Sequence, residues 1–348
     1  MRKLFFLGAL LLWVMPNLLV GQDPHFSQFY ASPLLLNPAL AGDHKGPVRA
    51  ALVNRRQWNQ LGKPIQTTGA SVDSKIWLNG DYIGIGALFI NDKAGQVGYV
   101  TNSLFISSSY LKQIGTNTLS AGIQLGMSDT GIDPSQTFPS QFNSATGVFD
   151  LGSNNETSLD FNRKQLDINL GVMWHSVIGG RYQMKTGFSV AHLNRPNEAL
   201  SDQRVVTPLR FAIHHRSHYL LDASWSLISE SQVMYTATAK QFGTVFHVKR
   251  QFNEEVAMFA GLGYRGYGIS NEGAIIVTGL TYGLFDLGVS YDWNISPLSR
   301  ESTQKTSLEF TVIINTPEPR RKRTVIYKKN KPCPVFVKPV KTPTRKKS

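Results

Sequence analysis

Apolar and polar residues alternate along several segments of the chain. From Leu119 to Met127 every second residue is apolar, and the residues between them are small or polar, namely Ser120, Gly122, Gln124 and Gly126. The same period of two recurs from Leu166 to His175, from Phe285 to Asn294 and from Leu308 to Ile314. A period of two is that of a β-strand, whose successive side chains point to opposite faces. The pattern therefore predicts an all-β chain.

The composition of the two strand faces favours a membrane barrel over a soluble protein. A soluble sandwich also hides one face of each strand, so alternation alone leaves both open. Here the second face consists of Gly, Ser, Asn, Gln and Asp, which suits a hydrated lumen, and Trp or Tyr stands near several segment ends, as at a lipid interface. Beyond the first 21 residues no apolar run is long enough for a membrane helix. We predict a transmembrane antiparallel outer-membrane β-barrel.

The connections between the predicted strands alternate in length. Counting from a first strand at Val48–Trp58, the even-numbered connections are tight and the odd-numbered ones are longer, as in barrels with short periplasmic turns and long external loops. The tight connections are Leu78–Asp81, Gln113–Asn117, Val177–Gly180 and Gln251–Glu254, and the longer ones are Asn91–Tyr99, Asp129–Lys164, Asn194–Thr207 and Asn294–Gln304. The count predicts about 14 strands within residues 48–315, with the boundaries between Arg210 and Gln251 left open. An even number places both ends of the barrel on one side, which we predict to be periplasmic.

Charge is concentrated at the end of the chain. The net charge is +13, and residues 316–348 contain twelve Lys or Arg and one Glu, whereas residues 22–315 are neutral. A neutral body argues against nucleic-acid binding. The tail is also rich in Lys-Pro steps and is predicted to be disordered. We expect it to dock to a periplasmic protein or to peptidoglycan carboxylates through Arg320, Arg321, Lys322, Arg323, Lys328 and Lys329.

The start of the chain has the features of a signal peptide. Arg2 and Lys3 precede an apolar run that ends near Met15, and Pro16 interrupts it. We expect residues 1–21 to be removed before Gln22. Cys333 is the one cysteine, so the chain cannot form an internal disulfide or a cysteine-ligated metal cluster.

Residues 22–47 form a segment of another kind. Aromatic residues, among them Phe26, Phe29 and Tyr30, are interrupted by Pro24, Pro33 and Pro38, which excludes an ordinary central strand. We predict an irregular segment folded against the barrel. It is either a plug in the lumen or a cap over one end.

Few residues indicate chemistry. His214, His215 and His218 form a histidine cluster, and His214 and His218 would share a strand face, but no acidic or cysteine partner stands at ligand spacing. No Gly-x-Ser-x-Gly elbow is present. We predict no catalytic residue, cofactor or metal. His192 is expected to hold the entry of a loop through hydrogen bonds, and Arg195 and Pro196 to fix how the chain leaves the strand.

Six stretches together resemble the PorP/SprF family, outer-membrane proteins associated with the type IX secretion system and gliding of Bacteroidetes. They cover Gln22 to about Asn315 in order. The stretches are QDPHFSQFYASP from Gln22, LNPALAG from Leu36, RRQW from Arg55, GFSVAHLNRPN from Gly187, SYDW from Ser290 and SLEF from Ser307. The tail lies outside this pattern.

The resemblance implies a barrel that assists secretion or surface anchoring of adhesins, or of other cargo with the non-proteolysed kind of C-terminal sorting domain. Besides this cargo and the periplasmic partner of the tail, outer-membrane lipid is an expected partner. A passive or selective pore is the alternative function, and an outer-membrane lipid enzyme is a third class. The candidate structural or partner residues are Phe26, Phe29, Tyr30, Asn37, Pro38, His192, Arg195 and Pro196.

Overall fold

The computed structural model describes most of the chain between residues 24 and 317. The described ranges are 24–58, 63–78, 80–94, 98–132, 141–144, 146–150, 162–200, 204–237, 239–267, 270–295 and 306–317. The expected signal peptide and the tail residues from Arg320 to Lys329 therefore lie outside the described residues.

Sixteen strands and three short helical turns make up the described structure. The turns are a 3-10 turn at Phe29–Ala31, the helix α1 at Pro33–Leu36 and a second 3-10 turn at Pro38–Leu40. The strands are β1 Val48–Gln57, β2 Ile65–Leu78, β3 Asp81–Ala94, β4 Tyr99–Ile114, β5 Asn117–Ile132, β6 Phe142–Asn143, β7 Val148–Phe149, β8 Asn162–Ile178, β9 Tyr182–Ala191, β10 Arg210–Leu220, β11 Trp225–Tyr235, β12 Lys240–Gln251, β13 Val256–Tyr267, β14 Ser270–Tyr282, β15 Phe285–Asn294 and β16 Ser307–Asn315. No helix in the described ranges is both long enough and apolar enough to cross a membrane.

Fourteen of these strands form a closed antiparallel barrel. Each strand pairs with its neighbour in sequence, except that β5 pairs with β8 across the small hairpin β6–β7. The barrel closes between β1 and β16, in a register that runs from Arg49 opposite Asn315 to Gln57 opposite Ser307. The predicted fold class and strand number are confirmed.

The two ends of the barrel differ in the length of their connections. At the tight-turn end, where β1 starts and β16 stops, the connections include residues 79–80, 115–116, 179–181 and 283–284. At the long-loop end, residues 133–161, 192–209 and 295–306 connect strands. The prediction of a long connection at Asn91–Tyr99 was wrong. Strand β3 continues to Ala94, because Asn91 and Asp92 pair with Asn102 and Thr101. The connections at 236–239 and 268–269 are also short, so not every odd-numbered connection is long.

The barrel wall is polar inside and apolar outside. In β4 the inward residues include Ser103, Ser107 and Ser109, which are buried, whereas the intervening Leu104 and Ile106 are 47% and 52% exposed. Strands β5 and β8 repeat this pattern. Exposed aliphatic side chains on a closed barrel form the surface that lipid covers.

The N-terminal segment, residues 24–47, lies inside the barrel. Its residues Leu34, Asn37 and Ala39 are fully buried. Its backbone oxygens accept hydrogen bonds from inward-facing residues of three different strands, Ser109 of β4, Ser120 of β5 and Ser189 of β9. The Asn37 side chain accepts from the N–H of Ala39, 2.8 Å away, and so caps the turn that begins at Pro38.

Candidate functional site

Two arginines and two carboxylates form a buried ionic cluster in the barrel wall. Arg55 is completely buried, and its Nη2 lies 2.8 Å from Oδ2 of Asp292. Its Nη1 lies 3.2 Å from Oε2 of Glu309. Arg265 places Nη2 2.7 Å from the same Asp292 oxygen. Two cations are thus balanced by two anions, which is the arrangement in which buried charges are tolerated.

The start of the N-terminal segment is attached to this ionic cluster. The backbone N–H groups of Ser27 and Gln28 donate to the two carboxylate oxygens of Glu309, at 2.7 and 2.8 Å. The Ser27 hydroxyl donates to Asp292 at 2.6 Å and accepts from Arg265 at 3.0 Å. Arg55 Nη1 also contacts the Ser27 hydroxyl oxygen. One short stretch of the segment therefore connects β1, β13, β15 and β16.

Asn37 attaches the middle of the segment to the opposite wall. Its Nδ2 donates to the carbonyl oxygens of Val172 and Phe188, at 3.0 and 3.3 Å, and lies 3.0 Å from Nε2 of His214. The other ring nitrogen of His214 lies 2.9 Å from the Tyr30 hydroxyl. Burial raises the pKa of that hydroxyl well above its ordinary value, and the nearby Glu230 adds to the effect.

The aromatic candidates of the segment pack with other apolar residues of the lumen. Phe26 packs with Ala31 and Val53. Phe29 packs in a cluster whose other members are Leu36, Ala39, Leu40 and Met173, with Tyr30 against it. These contacts bring the predicted residues Phe29, Tyr30, Asn37 and Pro38 into one region.

The end of the segment is attached through carboxylates. The N–H of Gly42 donates to Asp73 at 2.8 Å, and Arg49 donates to both oxygens of that carboxylate. Asp43 contacts Lys185 and lies 3.6 Å from His175. Burial alone would raise the pKa of the Asp43 carboxyl, but Lys185 and His175 outweigh it and hold that pKa well below its usual range.

His44 completes this end of the segment. It lies 3.5 Å from Asp73. Burial, and next the positive charge of Arg49, lower the pKa of His44 from 6.5 to about 4. The imidazole is therefore neutral at pH 7.

Glycines of the wall let the segment approach closely. A Cβ atom at Gly122 would lie 2.6 Å from the backbone nitrogen of Ala39, and one at Gly171 would lie 1.9 Å from Oδ1 of Asn37. At Gly84 it would lie 2.1 Å from the carbonyl oxygen of Ala41. These strand glycines are positions where another backbone comes near.

The second group of candidates lies at the long-loop end. His192 follows β9 with a φ of 61°, and its Nδ1 is 3.0 Å from Asp167. Arg195 has a φ of 48°, and its N–H donates to the carbonyl of His192. The carbonyl of Pro196 accepts from Thr207. His192 and Pro196 line a cavity of about 130 Å³ that Pro24 and Leu35 of the N-terminal segment also line.

The three histidines of the predicted cluster have different surroundings. His214 bonds to Asn37 and Tyr30, and His215 lies 2.8 Å from the Thr186 hydroxyl. His218 lines a cavity together with Lys185 and Arg216. Within the described residues, no group of three His, Cys, Asp or Glu is arranged to hold a metal ion.

The stretches on which the sequence resemblance rests meet inside the barrel. Arg55, Asp292 and Glu309 come from three of them, and Ser27 from a fourth. The sequence analysis did not predict the roles of these four residues. The available signal was a charged residue at an inward position of a strand that alternates apolar and polar residues. Arg265 lies in none of these stretches, and no feature of the sequence around it indicated a role.

Comparison with known proteins identifies the family. Residues 19–314 match the family model described as type IX secretion system membrane protein PorP/SprF. The chain belongs to the PorP/SprF family. No match was found among curated proteins.

Solved structures support the fold of this PorP/SprF protein. The CymD monoaromatic hydrocarbon channel is 9% identical, with a TM-score of 0.51 over 86% of this chain and 96% of that chain. A TodX monoaromatic hydrocarbon channel mutant is 9% identical, with a TM-score of 0.50 over 81% and 92%. At this identity the likeness concerns the fold alone. The protein is an outer-membrane β-barrel of the type IX secretion class.

Proposed function

We propose that this barrel assists secretion or surface anchoring of adhesins, or of other cargo with a non-proteolysed C-terminal sorting domain, and does not work as an open pore. Cargo would bind at the long-loop end. The start of β1 and the end of β16 would both lie on the periplasmic side. Family membership supports the link to secretion.

The observation that carries the proposal is the attachment of the N-terminal segment within the lumen. Its two ends are held by separate charged groups of the wall, Glu309 with Asp292 at one end and Asp73 with Lys185 at the other. A segment attached in this way narrows the water-filled path that an open pore needs. A barrel that presents a stable outer surface to protein cargo gains rigidity from it.

The cargo role is tested in the native host. The gene is deleted, and surface display of co-encoded adhesins is measured by labelling intact cells. We expect display to fall strongly and to return when the gene is supplied again. Unchanged display in the deletion strain would contradict the cargo role.

The pore alternative is tested separately in planar bilayers. We expect the purified barrel to pass almost no ions, because the segment occupies the lumen. Stable open channels like those of porins would favour the pore function.

We further propose that the basic tail docks to a periplasmic protein or to peptidoglycan. The tail is best removed after Pro317. Thr316 still belongs to the barrel, since its N–H donates to the carbonyl of Val48 and its hydroxyl accepts from the N–H of Val48. We expect the truncated barrel to fold and to lose pull-down of the periplasmic partner. Pull-down that survives truncation would exclude the tail as the docking element.

A further inference from the structure

A basic cavity opens at the tight-turn end of the barrel. It has a volume of about 400 Å³ and is surrounded by β9 to β12, the connection 221–224 and the end of the N-terminal segment. Four Lys or Arg side chains line it, and Asp222 is the one acid among its lining residues. The four are Lys45, Lys185, Arg216 and Lys249.

Two of these cations are already balanced by carboxylates. Lys185 is paired with Asp43, and Nε of Arg216 lies 3.2 Å from Glu230. Asp222 is also engaged, because it accepts the N–H groups of Ser224 and Trp225 at 2.7 and 2.8 Å and so shapes the connection.

Among the described residues, the other two cations have no direct ion pair, and the nearest carboxylate to Lys249 is Asp286, which it reaches only through Thr281. Within the described part of the chain, neither Lys45 nor Lys249 has a carboxylate oxygen within 4.0 Å. Nζ of Lys249 instead donates to the hydroxyl of Thr281 at 3.2 Å. Positive side chains gathered in a concave site with low-dielectric walls attract anions more strongly than the same charges on a flat surface.

We propose that this basic cavity binds the carboxylate side chains of an acidic peptide segment that enters from the tight-turn end. A volume of about 400 Å³ is far larger than a single small anion needs, since a water molecule occupies roughly 30 Å³ in the liquid. The two lysines without a direct ion pair stand on separate elements, Lys45 on the N-terminal segment and Lys249 on β12, which suits carboxylates spaced along a chain. The Gln183 amide offers hydrogen bonding to a peptide backbone. The chain's own tail is cationic and does not fit.

The basic cavity lies at the opposite end of the barrel from the proposed cargo site, so peptide binding there is independent of adhesin display. It also differs from tail docking, because the groups involved are all inside the barrel mouth.

The test uses the full-length protein in a zwitterionic detergent and a synthetic glutamate-rich peptide that carries a photo-reactive group. Crosslinked positions are mapped by mass spectrometry, so that binding to the basic tail is counted separately. The same peptide with Gln in place of Glu is the ligand control. The double variant Lys45→Gln with Lys249→Gln is compared with Lys112→Gln, which removes one positive charge from an exposed position at the same barrel end but outside the cavity.

We expect the acidic peptide to crosslink to residues 218–226, and the Gln peptide not to. The double variant should weaken binding at these positions about tenfold, whereas Lys112→Gln should leave it unchanged. Crosslinks confined to the tail, equal crosslinking by the Gln peptide, or an equal loss in Lys112→Gln would overturn the proposal. Full displacement by inorganic phosphate at the peptide's own concentration would also overturn it, in favour of a small-anion site. If the double variant does not fold, Lys45→Gln alone provides the comparison, since Lys45 lies outside the strands.

Discussion

Single charged residues fix the N-terminal segment to the wall, and Arg55 has the central position among them. It contacts Ser27 of the segment together with Asp292 and Glu309 of the wall. Because it is fully buried, its removal leaves the Glu309 carboxylate without its cation in a buried site, whereas Asp292 keeps Arg265.

We predict that Arg55→Met lowers the free energy of unfolding by about 3–5 kcal/mol, the usual cost of breaking a buried ion pair from one side. Urea unfolding of the refolded barrel measures it. The control is Arg56→Met, the next residue, whose side chain is exposed on the outer face. That change should cost about 1 kcal/mol or less. Equal effects of the two variants would show that the ionic cluster contributes no special stability.

His44 predicts a dependence of stability on pH. Above pH 6.5 the imidazole is neutral in both the folded and the unfolded chain, so it contributes nothing. Between pH 6.5 and about 4 the unfolded chain takes up a proton that the folded chain does not, and stability falls as the pH falls. Below about pH 4 both states are protonated and the decline from this group ends.

The measurement is the urea midpoint against pH for the natural protein and for His44→Gln. The two curves should differ in slope between pH 6.5 and about 4 and run parallel above that range. Parallel curves throughout would show that His44 titrates alike in both states.

At the scale of elements, the contact between the N-terminal segment and β5 depends on the absence of a side chain at Gly122. A Cβ atom there would lie 2.6 Å from backbone atoms of Pro38 and Ala39, and backbone cannot move aside as a flexible side chain can. We predict that Gly122→Ala displaces the segment and costs about 1–3 kcal/mol, the usual effect of overpacking.

Urea unfolding and bilayer conductance measure the effect of Gly122→Ala together. Stability should fall and ion flow should rise. Gly243→Ala is the matched control, because a Cβ at that position meets only Gln232 side-chain atoms at 3.6 Å, an ordinary contact distance. A Gly122→Ala barrel with unchanged stability and conductance would mean that the segment does not rest on this position.

Strands could be predicted from the sequence far better than the placement of the N-terminal segment. The alternation from Phe285 to Asn294 gives β15 with its observed bounds, because the period of two is a local property. The contact of Ser27 with Asp292 joins residues 265 positions apart, and no local pattern encodes it. For the same reason the sequence did not decide whether the N-terminal segment is a plug in the lumen or a cap over one end of the barrel. The length of connections was only partly predictable, since polar residues such as Asn91 and Asp92 extend a strand when the neighbouring strand pairs with them.

At the scale of the whole molecule, polarity is reversed relative to a soluble domain. The outward residues of the strands form an apolar belt, defined here by exposed aliphatic and aromatic side chains such as Leu104, Ile106, Leu125 and Leu170. Buried charges and hydroxyl groups fill the interior. Lipid on the outside makes this arrangement stable.

Depth in the bilayer should therefore decide the cost of a charge on the belt. Ile106, in the middle of β4, and Ile114, at its end, are both exposed, at 52% and 54%. We predict that Ile106→Arg costs about 2–4 kcal/mol in lipid vesicles and that Ile114→Arg costs about 0–1 kcal/mol. Equal costs from urea titrations of the two variants would contradict a belt centred on Ile106.

The attachment of Ser27 and Gln28 to Glu309 has a consequence for the order of assembly. The N–H group of Ser27 and the carboxylate that accepts it are 282 positions apart, so the segment that emerges first must wait for a partner in the last strand of the barrel. Loop closure over such a separation is slow, and contacts of this kind form late in folding. The attachment of the segment to Glu309 and the closure of the barrel between β1 and β16 then become one event. A chain that stops before β16 can neither attach the segment to Glu309 nor close the barrel.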